Sequence, residues 1–132
     1  MHTSIGEISY DYLVVATGAN TNYFGNKELE KLAFPLKTIE EAIRLRNHVL
    51  NNFEKALLVE NEEEMNSLID YVVAGVGPTG VEVAGALAEL KNNVFCQDYR
   101  ELDILREMDI YLIQSGDRLL PCMSEKSSEK AL

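Results

Sequence analysis

Cysteine, basic charge and long apolar runs are all scarce in this chain. Two cysteines, Cys96 and Cys122, lie far apart with no CxxC spacing. That pattern argues against a disulfide scaffold and a zinc site, and for a reducing, cytoplasmic setting in which each thiol is a small buried side chain. Lysine and arginine total 12 against 22 acidic residues, a net charge of −10. Nucleic-acid binding needs clustered cations, so that class is excluded, as is docking on an anionic membrane through a basic patch. No apolar run approaches the ~20 residues that span a bilayer. The start, "MHTSIGEIS", has neither the basic beginning nor the apolar centre of a signal peptide. No Ser/His/Asp, Cys/His or metal-ligating constellation is present. His2 falls in a terminus expected to fray, and His48, in "RLRNHVL", reads as a surface helix residue.

What is there is an alternation of apolar strands and amphipathic helices over 132 residues, 46% hydrophobic. A domain of this size buries roughly two-thirds of its unfolded surface. "YDYLVVATGAN" (10–20) reads as a strand closed by a Gly-centred turn, its continuous apolar run suiting a strand covered on both faces. "NTNYFGNKELEKLAFP" is loop with a short helical turn. Thr38 and Glu41 form a capping box that opens a helix to about residue 58, with Ile39, Ala42, Ile43, Val49, Leu50, Phe53 and Leu57 near one face. The acidic "ENEEEMNSL" predicts a short helix capped by Asn61. "DYVVAG" (70–75) is a second buried strand, 80–91 a helix rich in small residues, and "DIYLIQSG" (109–116) a third strand. The tail "SEKSSEKAL" begins a helix. The order strand, helix, strand, helix, strand predicts an α/β fold, a partial Rossmann-like, doubly wound, mostly parallel sheet with flanking helices.

The chemistry concentrates in "YVVAGVGPTGVEVAG" (71–85), where a strand runs through G-x-G-x-x-G into a helix. The free N–H groups and dipole of the helix start favour an anion. Gly75 permits the tight turn, Gly77 removes a side chain that would block a pyrophosphate, and Gly80 lets the helix pack on the strand. Pro78 has no N–H to orphan, and Thr79 offers a hydroxyl. In this context the motif predicts a dinucleotide site rather than a packing turn alone. The fingerprint also asks for an acid about 20 positions on, holding the adenosine ribose 2′-OH. If "NVFCQ" (93–97) is the next strand, that position is Asp98; if "DIYLIQSG" is, it is Gln114. The better apolar run favours Gln114, which lacks the charge that repels a 2′-phosphate.

"YDYLVVATGANTNYFG", "LKTIEEAIRLRNHVL" and "VVAGVGPTGVEVAGALAEL" together resemble the middle portion of the type II NADH dehydrogenases, single-chain flavoprotein NADH:quinone oxidoreductases. The resemblance covers nearly the whole chain. It implies an FAD domain interrupted by an NAD(P)H domain. Residues 1–36 would belong to the former, 37–69 would be a connecting helix and acidic linker, and 70–132 would begin the latter. It places Ala16, Thr17 and Gly18 beside FAD, Gly75 to Gly80 on NADH, and Glu82 near the nicotinamide. Read from the residues alone, Glu82 is an acid in a helix first turn and 16–18 a tight turn. The family usually carries an acid where this chain has Gln114, so strict NADH preference is weakened. No GxGxxG for FAD precedes "ATG". The resemblance therefore implies a fragment whose parent passes a hydride from NADH to FAD and electrons to quinone, peripheral on the cytoplasmic face of the membrane, while the chain alone is inactive. A non-catalytic nucleotide-binding module, a piece of a disulfide-reductase-like flavoprotein, and a homodimer through an exposed sheet edge or segment exchange are the alternatives.

Overall fold

The computed structural model describes residues 1–131. The chain divides into a small unit, Met1–Pro35, and a larger one that begins at Leu36.

In the small unit, β1 (His2–Thr3) and β2 (Gly6–Glu7) pair antiparallel. The Met1 ammonium donates to Ile8 O and Ile8 N–H donates to Met1 O, both at 2.9 Å. His2 lies 3.4 Å from the Glu7 carboxylate, so the terminus expected to fray is a hairpin. A helix, α1 (Lys27–Leu32), follows, its first N–H groups capped by Asn26 Oδ1. The strand expected at 10–20 does not form. Residues 8–22 carry no regular structure, and Tyr12 is 94%, Val14 86% and Val15 75% exposed. A strand needs a neighbour for its N–H and C=O groups, and no described strand pairs with this segment.

The larger unit opens with α2 (Ile39–Ala56). Thr38 Oγ1 accepts from Glu41 N–H while Glu41 Oε2 accepts from Thr38 N–H, the capping box expected from sequence. The expected apolar face is only partly buried. Val49 and Phe53 are in the core together with Ala56 and Asn52, whereas Ile39, Ile43, Leu50 and Leu57 are exposed. The fully buried positions all lie in the C-terminal half of α2, while in the N-terminal half Leu45 packs on the core partly buried. Asn52 is held there by donating to Leu68 O at 3.0 Å. Next comes α3 (Glu62–Ile69), capped by Asn61 Oδ1.

β3 (Tyr71–Ala74) then leads through the glycine turn into α4 (Pro78–Leu90). A π-helical turn (Lys91–Phe95), α5 (Cys96–Asp98) and α6 (Ile104–Glu107) occupy the segment left ambiguous by sequence. β4 (Ile110–Ile113) returns parallel to β3, with Tyr71 opposite Ile110 and Ala74 opposite Ile113. α7 (Glu125–Glu129) closes the described chain. The parallel sheet thus has two strands among the described residues instead of the three predicted. The β3 run is not covered on both faces either: Tyr71, Val73, Ile110 and Leu112 are half-buried, while Val72, Tyr111 and Ile113 are exposed.

The core forms where α2, α3, the β3 face, α4 and the π turn converge. Phe53, Ile69, Ile104 and Met108 are fully buried. Phe53 stacks on Phe95 and Tyr99, with ring centroids 4.3 and 5.1 Å apart. Burial of Tyr99 and its hydrogen bond to Glu54 raise its phenol pKa. The cysteines expected to be buried are not: Cys96 is half-buried and Cys122 exposed, and both are free. Asp70 Oδ1 accepts from Asp109 N–H at 2.7 Å, tying the start of β3 to the start of β4.

Candidate functional site

The site begins where β3 ends. Gly75 continues the ladder, its N–H donating to Ile113 O at 2.8 Å, and then turns with φ +113°, a left-handed-side value that favours glycine. Gly77 is the N-cap of α4 and Pro78 is its first residue; no side chain caps the helix. The first helical bond runs from Val81 N–H to Gly77 O. The N–H groups of the first turn therefore open toward the sheet end without a protein cap, the arrangement that suits an anion.

The three glycines of the motif divide their work. A Cβ on Gly80 would lie 1.9 Å from Gly75 O, so only glycine lets α4 approach the turn this closely. A Cβ on Gly77 would meet nothing within 4 Å, so its bareness serves the open side of the turn, not the packing of the protein. That open space beside uncapped N–H groups fits a pyrophosphate. Thr79 and Glu82 are exposed. The first turn of α4 contains no acid, and Glu82 falls in the second turn, so the dipole reading made for it does not hold.

The strand that pairs with β3 is β4, so the strand-end position is that of Gln114 and not Asp98. "NVFCQ" is helical, not a strand, and Asp98 closes α5. Gln114 directly follows β4, beside the glycine turn. A cavity of about 640 Å³ lies here, reaching from Val76 past Gln114 and Gly116 to Arg118 and α7. Its walls belong to a loop that sequence reasoning passed over. Leu120 is buried with φ +48°, and its N–H donates to Val76 O at 2.9 Å, pinning the loop to the glycine turn. Arg118 Nη2 donates to the carbonyls of Pro121 and Met123, and Arg118 Nε is buried with no partner among the described residues. Ser128 Oγ donates to Leu119 O at 2.6 Å. The sequence "GDRLLP" has the composition of a turn, and nothing in it marks a wall of this pocket.

Ala16, Thr17 and Gly18 lie in the other unit. All three are exposed on the unpaired segment, and Gly18 turns with φ +74°. Three exposed residues on one open turn form no cradle for an isoalloxazine.

A strand, a glycine turn, an uncapped helix and a parallel return strand define a Rossmann-type nucleotide-binding unit. Within that class, the family model for pyridine nucleotide-disulphide oxidoreductases matches residues 3–132, and the chain belongs to that family. It is similar to the type II NADH:quinone oxidoreductase Ndh of Mycobacterium tuberculosis, 36% identical over 92% of this chain and 26% of that protein. It is similar also to an external alternative NAD(P)H-ubiquinone oxidoreductase, B3, mitochondrial, of Arabidopsis thaliana, 37% identical over 95% of this chain and 21% of the relative. The structure of NDH2 from Plasmodium falciparum in complex with NADH superposes with a TM-score of 0.81 at 35% identity, over 92% of this chain and 24% of the other. The chain thus spans about a quarter of the length of the relatives it matches.

Proposed function

We propose that this chain carries the NAD(P)H-binding unit of a flavoprotein NADH:quinone oxidoreductase. The observation that carries the reading is the turn from β3 to α4: Gly80 is needed for packing, whereas the bareness of Gly77 serves only the open space beside uncapped helix N–H groups. The similarity to a structure in complex with NADH supports the same ligand. On this reading Gly75, Gly77, Pro78, Thr79 and Gly80 hold the pyrophosphate, Gln114 faces the adenosine ribose, and Glu82 lies toward the nicotinamide. Residues 70–132 belong to the NAD(P)H domain, 37–69 connect, and 1–36, with Ala16, Thr17 and Gly18, contribute to a flavin site completed by other residues. FAD, held in the parent largely by residues other than these, would supply the redox chemistry. The chain alone binds nucleotide and does not turn over.

No described helix is long and apolar enough to cross a membrane. A membrane-surface location of the parent accords with the lipid solubility of the quinones named for the relatives, and the cytoplasmic side is part of the same proposal. Self-association is a second reading, favoured by the exposed sheet face of Val72, Tyr111 and Ile113.

Calorimetric titration of NADH into the chain tests the nucleotide reading. Micromolar to millimolar binding is expected, abolished by Gly77→Val in a variant that melts normally. Undiminished binding by that variant would make the turn purely structural.

A further inference from the structure

The loop after β4 is bonded within itself and to α7, and it reaches the glycine turn through its backbone. Gln114 Nε2 donates to Arg118 O at 2.6 Å, Ser128 Oγ to Leu119 O at 2.6 Å and Met123 N–H to Leu120 O at 2.8 Å. Arg118 Nη2 donates to Pro121 O and Met123 O. Leu120 N–H leaves this web and donates to Val76 O at 2.9 Å. Leu120 has φ +48°, a region that L residues rarely adopt, and its side chain is buried. A residue keeps such a conformation only where its surroundings over-determine it. The buried side chain and the bonds at both its N–H and its C=O do so here.

Val76 stands between Gly75 and Gly77 and is itself buried. The Val76–Gly77 bond is trans, so its C=O and N–H point to opposite sides of one plane. Fixing Val76 O on the loop therefore turns the Gly77 N–H away from the loop. Among the described residues no group accepts from that N–H, and a Cβ on Gly77 would meet nothing within 4 Å. Half a turn of this peptide would carry Gly77 from φ −68° to the positive side. Most residues resist that change and glycine does not. The bare residue that makes room for a pyrophosphate thus also leaves its own peptide free to flip.

We propose that Leu120 is a positioning residue for the glycine turn: its N–H, presented by the left-handed backbone at 120, locks the Val76–Gly77 peptide in the orientation that offers the Gly77 N–H to a pyrophosphate. The proposal rests on the nucleotide reading above. Leu120 acts through Val76 and touches no ligand.

The test is calorimetric titration of NADH into the whole chain and into its ester analogue, in which leucic acid replaces Leu120. An ester oxygen then stands in place of the N–H, and the side chain is kept. In an analogue that melts in one cooperative step, NADH is expected to bind about tenfold more weakly, the loss that follows if the peptide faces the right way roughly a tenth of the time. The Gly77 amide resonance of the nucleotide-free analogue is expected to broaden or double, which a merely structural role would not cause. An ester also weakens the Leu119 carbonyl as an acceptor for Ser128, so Ser128→Ala is the control, and its loss of affinity is expected to fall well short of the analogue's. The wild type supplies a second measurement that needs no variant to fold. Linkage makes NADH tighten the lock by the factor with which the lock tightens NADH. The Leu120 amide is therefore expected to exchange about tenfold more slowly at saturating NADH, beyond any slowing at Met123. Wild-type affinity in the folded analogue, an equal loss in Ser128→Ala, or Leu120 exchange slowed no more than that of Met123 would overturn this proposal alone. No NADH binding by the folded wild type would overturn the nucleotide reading, and this proposal with it.

Discussion

Residues 10–18 and 70–75 start from nearly the same letters. "YDYLVVATG" and "DYVVAG" each set a tyrosine before a run of apolar residues and close on a glycine with positive φ. One is a strand in a parallel sheet, half-buried along one face and anchored at both ends by Tyr71 N–H to Asp109 O and Gly75 N–H to Ile113 O. The other is an exposed segment without a partner strand among the described residues. The difference is long-range pairing. β4 supplies the ladder and α2, α3 and α4 supply the apolar cover for 71–75, and no described element does either for 12–16. An apolar run states a demand for burial and hydrogen bonds, and only a neighbour meets it.

That contrast can be broken at its tightest contact. Gly80→Ala forces a Cβ into Gly75 O and is expected to cost about 3 kcal/mol or prevent native packing, read from denaturant unfolding. An unchanged midpoint would show that α4 does not depend on its closeness to the turn. A paired substitution sharpens the comparison. Val73→Ala is expected to cost roughly 1–2 kcal/mol, and Val15→Ala less than about 0.5 kcal/mol, because Val73 packs on the core and Val15 is 75% exposed. Equal costs would mean that 12–16 is buried in solution. The smallest effect concerns pH. Burial, with the nearby Asp70 charge, raises the pKa of the Tyr71 phenol. The neutral phenol is favoured in the folded state, so its stabilisation is complete below about pH 10 and fades as pH rises above it. Melting temperature followed from pH 8 to 11 is expected to fall less steeply in Tyr71→Phe than in the wild type; parallel curves would assign the alkaline loss to other groups.

Local signals were legible wherever the chain interacts with its own near neighbours. The Thr38–Glu41 capping box, the Asn61 cap and the start of α4 at the glycine turn all depend on residues within a few positions of one another. The roles of Gly75 and Gly80 were legible too, since a backbone turn admits few residues. The buried half of α2 was not, because periodicity marks a face but not how much of it finds a partner: Val49 and Phe53 met the core and Ile39 did not. The better apolar run already favoured Gln114 over Asp98 as the strand-end residue, and the helical "NVFCQ" and the pairing of β4 with β3 agree with that choice.

By itself the sequence determined the strand–turn–helix that can hold a pyrophosphate, because glycine spacing and helix capping act over one turn of chain. Only the tertiary structure decided which apolar run became a strand. Only it set the Gln114 amide against Arg118 O and brought Asp117, Glu125 and Glu129 around one pocket. Those arrangements join residues through space, and their energies exist only once the loop after β4 has folded back onto the glycine turn.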